Sequence, residues 1–331
     1  MAVNSARLMQ ISLATRMLLR RSLVVQAAGA ALAVGGAAYY FTHPQRVASE
    51  LPEDLQEIAK SVTLTAADGA RLHATWIPGV GANGSSRSAI ADRTIVHHHG
   101  YNSCGGVLLA RRALFQRAAV PLPWTEQPES LCAWPVVYEG LQRGYNFLLV
   151  DARAHGQSDG PWDPSGALAV ADAAQWARWL RETYTQLWVG LWGHSFGAAV
   201  GLGLALRPSG GGYDAMVLDS PVLTSKGVYS GVVAAPLYAA IQPVLQRVGN
   251  HTLYPSLQAH RPWMPILLIH GVEDGHVPAW QSEAAYELIR NPEDGERSGL
   301  WLVPRARHLQ ALELAPEEYV RRTLDWFDKW M

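Results

Sequence analysis

Leu187-Trp188-Val189-Gly190-Leu191-Trp192-Gly193-His194-Ser195-Phe196-Gly197-Ala198-Ala199-Val200 is the stretch whose reading decides the fold. An apolar run leads into a Gly-His-Ser-Phe-Gly pentapeptide, and small apolar residues continue from it to Leu206. That order spells strand, one sharp turn, then helix. A serine in such a turn has a strained backbone that lifts its Oγ clear of the sheet. The flanking glycines are a steric requirement, because a β-carbon there meets the neighbouring strand or the start of the helix. The helix N-terminus adds backbone N–H groups and a partial positive charge where an oxyanion would form.

A serine hydroxyl is a weak nucleophile. It needs a base in hydrogen-bond reach, and the base needs a carboxylate to fix its tautomer. Both residue types occur downstream, each just past a short apolar run. Ile266-Leu267-Leu268-Ile269 precedes His270-Gly271-Val272-Glu273-Asp274-Gly275-His276-Val277-Pro278, and Leu300-Trp301-Leu302-Val303 precedes Pro304-Arg305-Ala306-Arg307-His308. Loops at the carboxyl ends of parallel strands are where open α/β sheets build their sites. The other expected strands are 62–66 and 71–77, a hairpin around Asp68-Gly69, then 94–98, 146–150, 187–191 and 215–218. Helical periodicity is clearest at 168–184, 281–289 and 317–330. The alternation predicts a mostly parallel sheet with helices on both faces.

Two segments break the alternation. Residues 120–135 carry Pro121, Pro123, Pro128 and Pro135 and are expected to form a loop that interrupts a helix. Residues 223–262 are a long apolar excursion between two strands, expected to form a small helical cap.

Of the 331 residues, 49% are hydrophobic and 17% charged, which suits one large core and argues against disorder. A net charge of −1 gives no reason to expect a nucleic-acid partner. The two cysteines, Cys104 and Cys132, exclude a disulfide scaffold and leave their pairing open. Residues 1–49 differ in kind: Arg7, Arg16, Arg20 and Arg21 come early, and no acid appears before Glu50. The stretch 22–41 is uncharged and ends in Tyr39-Tyr40-Phe41. It is long enough to cross a bilayer as a helix, with aromatics at one interface and arginines on the cytoplasmic side. The expectation is an uncleaved signal-anchor there, with residues 50–331 as one domain on the non-cytoplasmic side. A cleaved secretory signal and a mitochondrial transit peptide are the alternatives. On export, Asn83-Gly84-Ser85 and Asn250-His251-Thr252 fit the glycosylation pattern.

Taken together, Gly193-His194-Ser195-Phe196-Gly197, Asp274 and His308 resemble the serine-hydrolase branch of the α/β-hydrolase fold, with its acylglycerol lipases, esterases and serine aminopeptidases. His99-Gly100-Tyr101 looks like that family's oxyanion loop. Asp151-Ala152-Arg153-Ala154-His155-Gly156-Gln157-Ser158 matches its Asp-x-Arg-x-His-Gly-x-Ser stretch, and Gly271-x-x-Asp274-x-x-Val277-Pro278 its acid loop. The resemblance implies an eight-stranded sheet and the triad Ser195, Asp274 and His308. It favours Asp274 over the adjacent Glu273, and it implies an oxyanion hole from the N–H groups of Tyr101 and Phe196. The chemistry implied is hydrolysis of a carboxylic ester or thioester in a lipid or small acyl substrate, without cofactor or metal. A serine peptidase of the same fold, and a non-catalytic binding protein built on it, are the rival readings. Haloalkane dehalogenases of this fold place an aspartate at the elbow, so Ser195 argues against that chemistry.

Several other residues invite functional readings and have plainer ones. His97, His98 and His99 are neighbours on a strand and point alternately to opposite faces, which does not suit a metal. Asp151 and His155 are expected to pin a loop, because a second acid–base pair has no task in this chemistry. His194 is expected to be a packed residue or a substrate-edge contact, and His270 and His276 to lie in the loop or on the rim.

Overall fold

The apolar, β-branched runs form eight strands: β1 (Lys60–Thr65), β2 (Arg71–Ile77), β3 (Arg93–His98), β4 (Tyr145–Asp151), β5 (Trp188–His194), β6 (Ala215–Asp219), β7 (Ile266–Gly271) and β8 (Ser298–Val303). These come from a computed structural model that describes residues 51–79, 91–105, 134–224 and 253–331 apart from 292 and 294. Positions 35, 36, 39, 43, 44, 46, 47 and 228 are described besides. The strands make one sheet in the order β1-β2-β4-β3-β5-β6-β7-β8. The opening hairpin is antiparallel, as is the β2–β4 pair, and every later pair is parallel. Strand β5 runs three residues beyond the expected end at 191, because His194 still pairs with Asp219 of β6.

Alternation along the strands divides the apolar side chains between two faces. Val96, Leu148, Leu191, Leu218 and Leu268 pack on one face with Val170 and Trp176 of α3 (Ala167–Tyr184) and Leu202 of α4 (Phe196–Ala205). Ile95, Phe147, Leu149, Trp192, Val217 and Ile269 pack on the other face. Their partners are Val136 and Val137 of α2 (Trp134–Gln142) and Leu324 and Phe327 of α8 (Pro316–Trp330). Short helices α1 (Glu53–Gln56), α5 (Tyr254–Ala259) and α7 (Ala311–Leu314) and the longer α6 (Trp280–Ile289) are also described.

Three expectations need correction or fall outside the described residues. Pro135, expected within a loop, stands in the first turn of α2, where the missing N–H has no intrahelical partner to lose; residues 120–133 lie outside the described set. Most of the expected cap does too. Its base is closed by Leu253 N–H donating to the Leu223 carbonyl at 2.9 Å, and Gln281 Oε1 accepts the N–H groups of Leu223 and Thr224 at 2.9 Å each. The expected apolar helix at 22–41 lies outside the described residues save positions 35, 36 and 39. Among the described residues no helix is long and apolar enough to cross a membrane.

The segment after β4 is tied down by its own motif. Arg153 is buried and donates to Asp172 at 2.8 and 2.9 Å and to Asp68 at 2.7 Å. Ser158 Oγ donates to the Asp151 carbonyl at 2.6 Å and accepts the His73 N–H at 2.8 Å. Arg153→Ala would strand Asp172 as a buried charge, a change that costs roughly 3 kcal/mol. It is expected to lower the unfolding free energy by that amount, read as a lower urea midpoint at an unchanged slope; a loss below about 1 kcal/mol would remove this pairing as the anchor of the loop.

Candidate active site

Strand β3 lies between β4 and β5, so successive connections leave it in opposite directions. Ligands in open parallel sheets bind at the carboxyl ends near such a reversal. Ser195 occupies the single position between β5 and α4, at φ +52°, ψ −108°. Three contacts hold it there. Its N–H donates to the Asp219 carbonyl at 2.8 Å, and the Gly197 N–H donates to the His99 carbonyl at 3.1 Å. Its own carbonyl starts the helix, accepting from Ala199 at 2.9 Å. The glycines are demanded by this closeness. A Cβ on Gly193 would come within 2.7 Å of the Gly197 carbonyl oxygen, and one on Gly197 would fall on the His98 carbonyl.

The structure brings Ser195, His308 and Asp274 together from three separate loops. His308 Nε2 is 3.0 Å from Ser195 Oγ, and His308 Nδ1 is 2.6 Å from Asp274 Oδ2. A carboxylate can only accept, so Nδ1 carries the proton and Nε2 is free to receive the serine hydrogen. Asp274 is held by more than the histidine. Its Oδ1 accepts the N–H groups of His276 and Val277 at 2.8 Å each. Burial opposes its ionisation, but the His308 charge and hydrogen bonds from His270 and His308 outweigh burial. They hold the carboxyl well below the usual carboxylate range.

Glu273 and Asp274, adjacent in sequence, have opposite fates. The Glu273 N–H donates to the Ala306 carbonyl at 2.9 Å, which stitches the acid loop to the histidine loop and turns the Glu273 side chain outward. The histidine loop carries two non-glycine residues at positive φ, Arg305 and Leu309, one on either side of His308. Such strain persists only where its surroundings over-determine the conformation.

His270, expected at the rim, is wholly buried at the end of β7. Its Nε2 lies 2.7 Å from the Val277 carbonyl oxygen and 3.3 Å from Asp274 Oδ2, and its Nδ1 lies 2.6 Å from Ser282 Oγ. It therefore buttresses the acid from behind. His276 stacks on the His308 ring at 5.4 Å between centroids. The three consecutive histidines separate as strand geometry dictates. His97 faces His194 and Trp192, whereas His98 faces Phe196. His99 Nε2 accepts the Ala152 N–H at 2.9 Å, and His155 Nε2 accepts the Asn102 N–H at 3.3 Å. Asp151 accepts the N–H groups of Gly105 and Gln157 at 2.8 and 2.9 Å. These bonds set the loop that bears Tyr101. Burial first, then neighbouring histidine charge, pushes His98 down to about 4, and burial, helped by the Arg46 charge, does the same to His155. Burial keeps His97, His98, His99 and His155 as neutral supports.

Tyr101 and Phe196 lie on the two segments joined by the Gly197–His99 hydrogen bond. Phe196 opens α4, so its N–H is among those without an intrahelical partner. Between their rings sits Trp162, with centroids 5.0 Å from Tyr101 and 4.9 Å from Phe196. Trp162 received no role from the sequence. It follows the 151–158 motif by four residues, and that proximity was the available clue.

With this geometry in hand, comparison with known proteins gives one consistent result. Residues 94–262, half of the chain, match the alpha/beta hydrolase fold family, and the chain belongs to that family. The Escherichia coli K12 protein YfhR is 28% identical over 254 residues, 76% of this chain and 74% of YfhR. Human ABHD12B is 28% identical over 156 residues, 45% of this chain and 42% of that protein. Among solved structures, the Pyrococcus furiosus esterase Pf2001 is similar at a TM-score of 0.65 and 25% identity, over 88% of this chain and 98% of the esterase.

The two acids are separable by experiment. Asp274→Asn is expected to slow reaction of Ser195 with an electrophilic phosphonate roughly a thousandfold, because the amide favours the wrong histidine tautomer. Glu273→Gln should stay within about twofold, as for a change at a solvated surface carboxylate. Equal losses in both variants would remove Asp274 as the group that orients His308.

Proposed function

We propose that this protein is a serine hydrolase that cleaves carboxylic esters or thioesters of lipid or small acyl substrates. The observation that carries this reading is the unbroken chain from Ser195 Oγ through His308 to Asp274, at 3.0 and 2.6 Å. Likeness to an esterase over nearly the whole length supports it. In the first step Ser195 Oγ bonds to the acyl carbon while His308 Nε2 takes the hydroxyl proton. The Asp274 carboxylate stabilises the imidazolium that results. The carbonyl electron pair moves onto oxygen, and the N–H groups of Tyr101 and Phe196 receive the oxyanion, each worth about 3 kcal/mol. As that pair returns, the bond to the alkoxide or thiolate breaks and His308 protonates the leaving group. Water, deprotonated by His308, then attacks the acyl-serine and releases the acid. The half-buried rings of Tyr101, Trp162 and Phe196 give the acyl group an apolar wall.

A fluorophosphonate probe should label the wild-type protein and leave Ser195→Ala unlabelled. A series of p-nitrophenyl esters should be turned over faster than aminoacyl p-nitroanilides. Absence of labelling would end the hydrolase reading, and faster turnover of the anilides would make the protein a peptidase.

We further propose that residues 1–49 tether this domain to a membrane. The support is an early cluster of arginines followed by the uncharged stretch 22–41. The full chain is expected in the membrane pellet after carbonate washing and residues 50–331 in the supernatant. The same distribution for both would discard the tether.

A further inference from the structure

Behind the elbow runs a buried chain of polar side chains that the hydrolytic steps do not use. His97 Nδ1 is 3.2 Å from the Gly105 carbonyl oxygen, and His97 Nε2 is 2.9 Å from His194 Nδ1. His194 Nε2 is 3.1 Å from the Tyr319 hydroxyl, which lies 3.0 Å from Asp219 Oδ2. The Trp192 indole N–H donates to the same hydroxyl at 3.3 Å, and Ser220 Oγ donates to Asp219 Oδ1 at 2.9 Å. All these side chains are buried.

Counting protons along the chain gives its charge. A carbonyl only accepts, so His97 Nδ1 carries its proton. Burial, reinforced by the charge of His194, keeps His97 neutral, which makes its Nε2 an acceptor and His194 Nδ1 a donor. Tyr319 then has one hydroxyl proton between His194 Nε2 and Asp219 Oδ2. If the imidazole is neutral and the carboxyl ionised, one of these two contacts sets lone pair against lone pair at about hydrogen-bond distance, a buried unsatisfied pair. One further proton removes the conflict. Placed on His194 it makes two buried charges separated by the tyrosine oxygen, and their desolvation is costly. Placed on Asp219 it makes every donor point the same way and leaves the chain uncharged.

We propose that Asp219 is a neutral carboxylic acid at neutral pH, donating through Tyr319 and His194 to His97, and that this relay positions the nucleophile. The relay holds both sides of Ser195: the His194 side chain is fixed between β3 and α8, and the Asp219 carbonyl holds the Ser195 N–H. Burial pushes the Asp219 carboxyl up to about 6, against hydrogen bonds from Ser220 and Tyr319, and the lone-pair conflict that only the ionised form meets drives it further up. The titratable groups facing the chain are His98 beside His97, and His270 and His308 beside Asp219. A neutral Asp219 leaves Asp274 as the anion that serves His308, two carboxyls driven to opposite protonation states by their surroundings. His97, His194, Tyr319 and Asp219 are positioning residues.

The kinetic part of the test rests on the hydrolase reading; the spectroscopic part does not. An infrared spectrum of wild-type protein minus Asp219→Asn at neutral pH should contain the C=O stretch of a protonated carboxylic acid. Asp219→Asn should turn over esters at a rate close to wild type, since its amide N–H donates to Tyr319 as the acid does. Tyr319→Phe keeps the ring but cuts the relay, and should lower kcat roughly 10- to 100-fold with KM little changed. No acid band, an Asp219→Asn loss as large as that of Tyr319→Phe, or a wild-type kcat in Tyr319→Phe would each overturn the relay. If Tyr319→Phe does not fold, the band and Asp219→Asn still decide. If wild-type protein takes no fluorophosphonate label, the hydrolase reading fails and the band alone decides the state of Asp219.

Discussion

The structure depends on the close approach of the Gly193–Gly197 turn to the ends of three parallel strands. Ser195 sits at φ +52°, a conformation that costs on the order of 1–3 kcal/mol outside glycine and survives only where its surroundings enforce it. The enforcement is visible on every side. The Asp219 carbonyl of β6 takes the serine N–H, the His99 carbonyl beyond β3 takes the Gly197 N–H, and the His98 carbonyl occupies the space a Gly197 side chain would need. The strain is thus borne by the whole sheet, and its product is a hydroxyl raised above the sheet edge at the N-terminus of α4.

Once Ser195 is placed, the states of the groups around it are a matter of dielectric and hydrogen-bond counting. Asp274 and Asp219 are both buried carboxyls at the carboxyl edge of neighbouring strands. Asp274 receives two backbone N–H bonds and two imidazoles, enough to overcome desolvation. Asp219 receives the Ser220 hydroxyl and no backbone N–H, and burial pushes its carboxyl up. The buried histidines around them belong to the same economy. An uncharged imidazole offers one donor and one acceptor, which suits it to bridging backbone groups in a dry interior, and His99 and His155 each do so here.

Much of this was legible in the residues, and the limits have physical causes. Short apolar strands alternating with amphipathic helices announced the parallel sheet, because burial on both faces leaves no other pattern for such strands. That Ser195, Asp274 and His308 meet was legible because the turn glycines and the acid and histidine loops are local features with local steric reasons. His270 was misplaced because the apolar strand pattern ends one residue before it, while the strand continues to Gly271. Pro135 was misplaced because proline is excluded from helix interiors but not from a first turn. Trp162, Asp219 and Tyr319 carried no motif at all.

What the sequence determined by itself was the class of fold and the chemical identity of the three central side chains, since periodicity and turn sterics act between residues close along the chain. Tertiary structure decided which acid faces His308, that His194 faces inward to a tyrosine 125 residues away, and which buried groups keep their protons. Those outcomes depend on contacts between distant segments and on the local absence of water. Neither is encoded in any short stretch of residues.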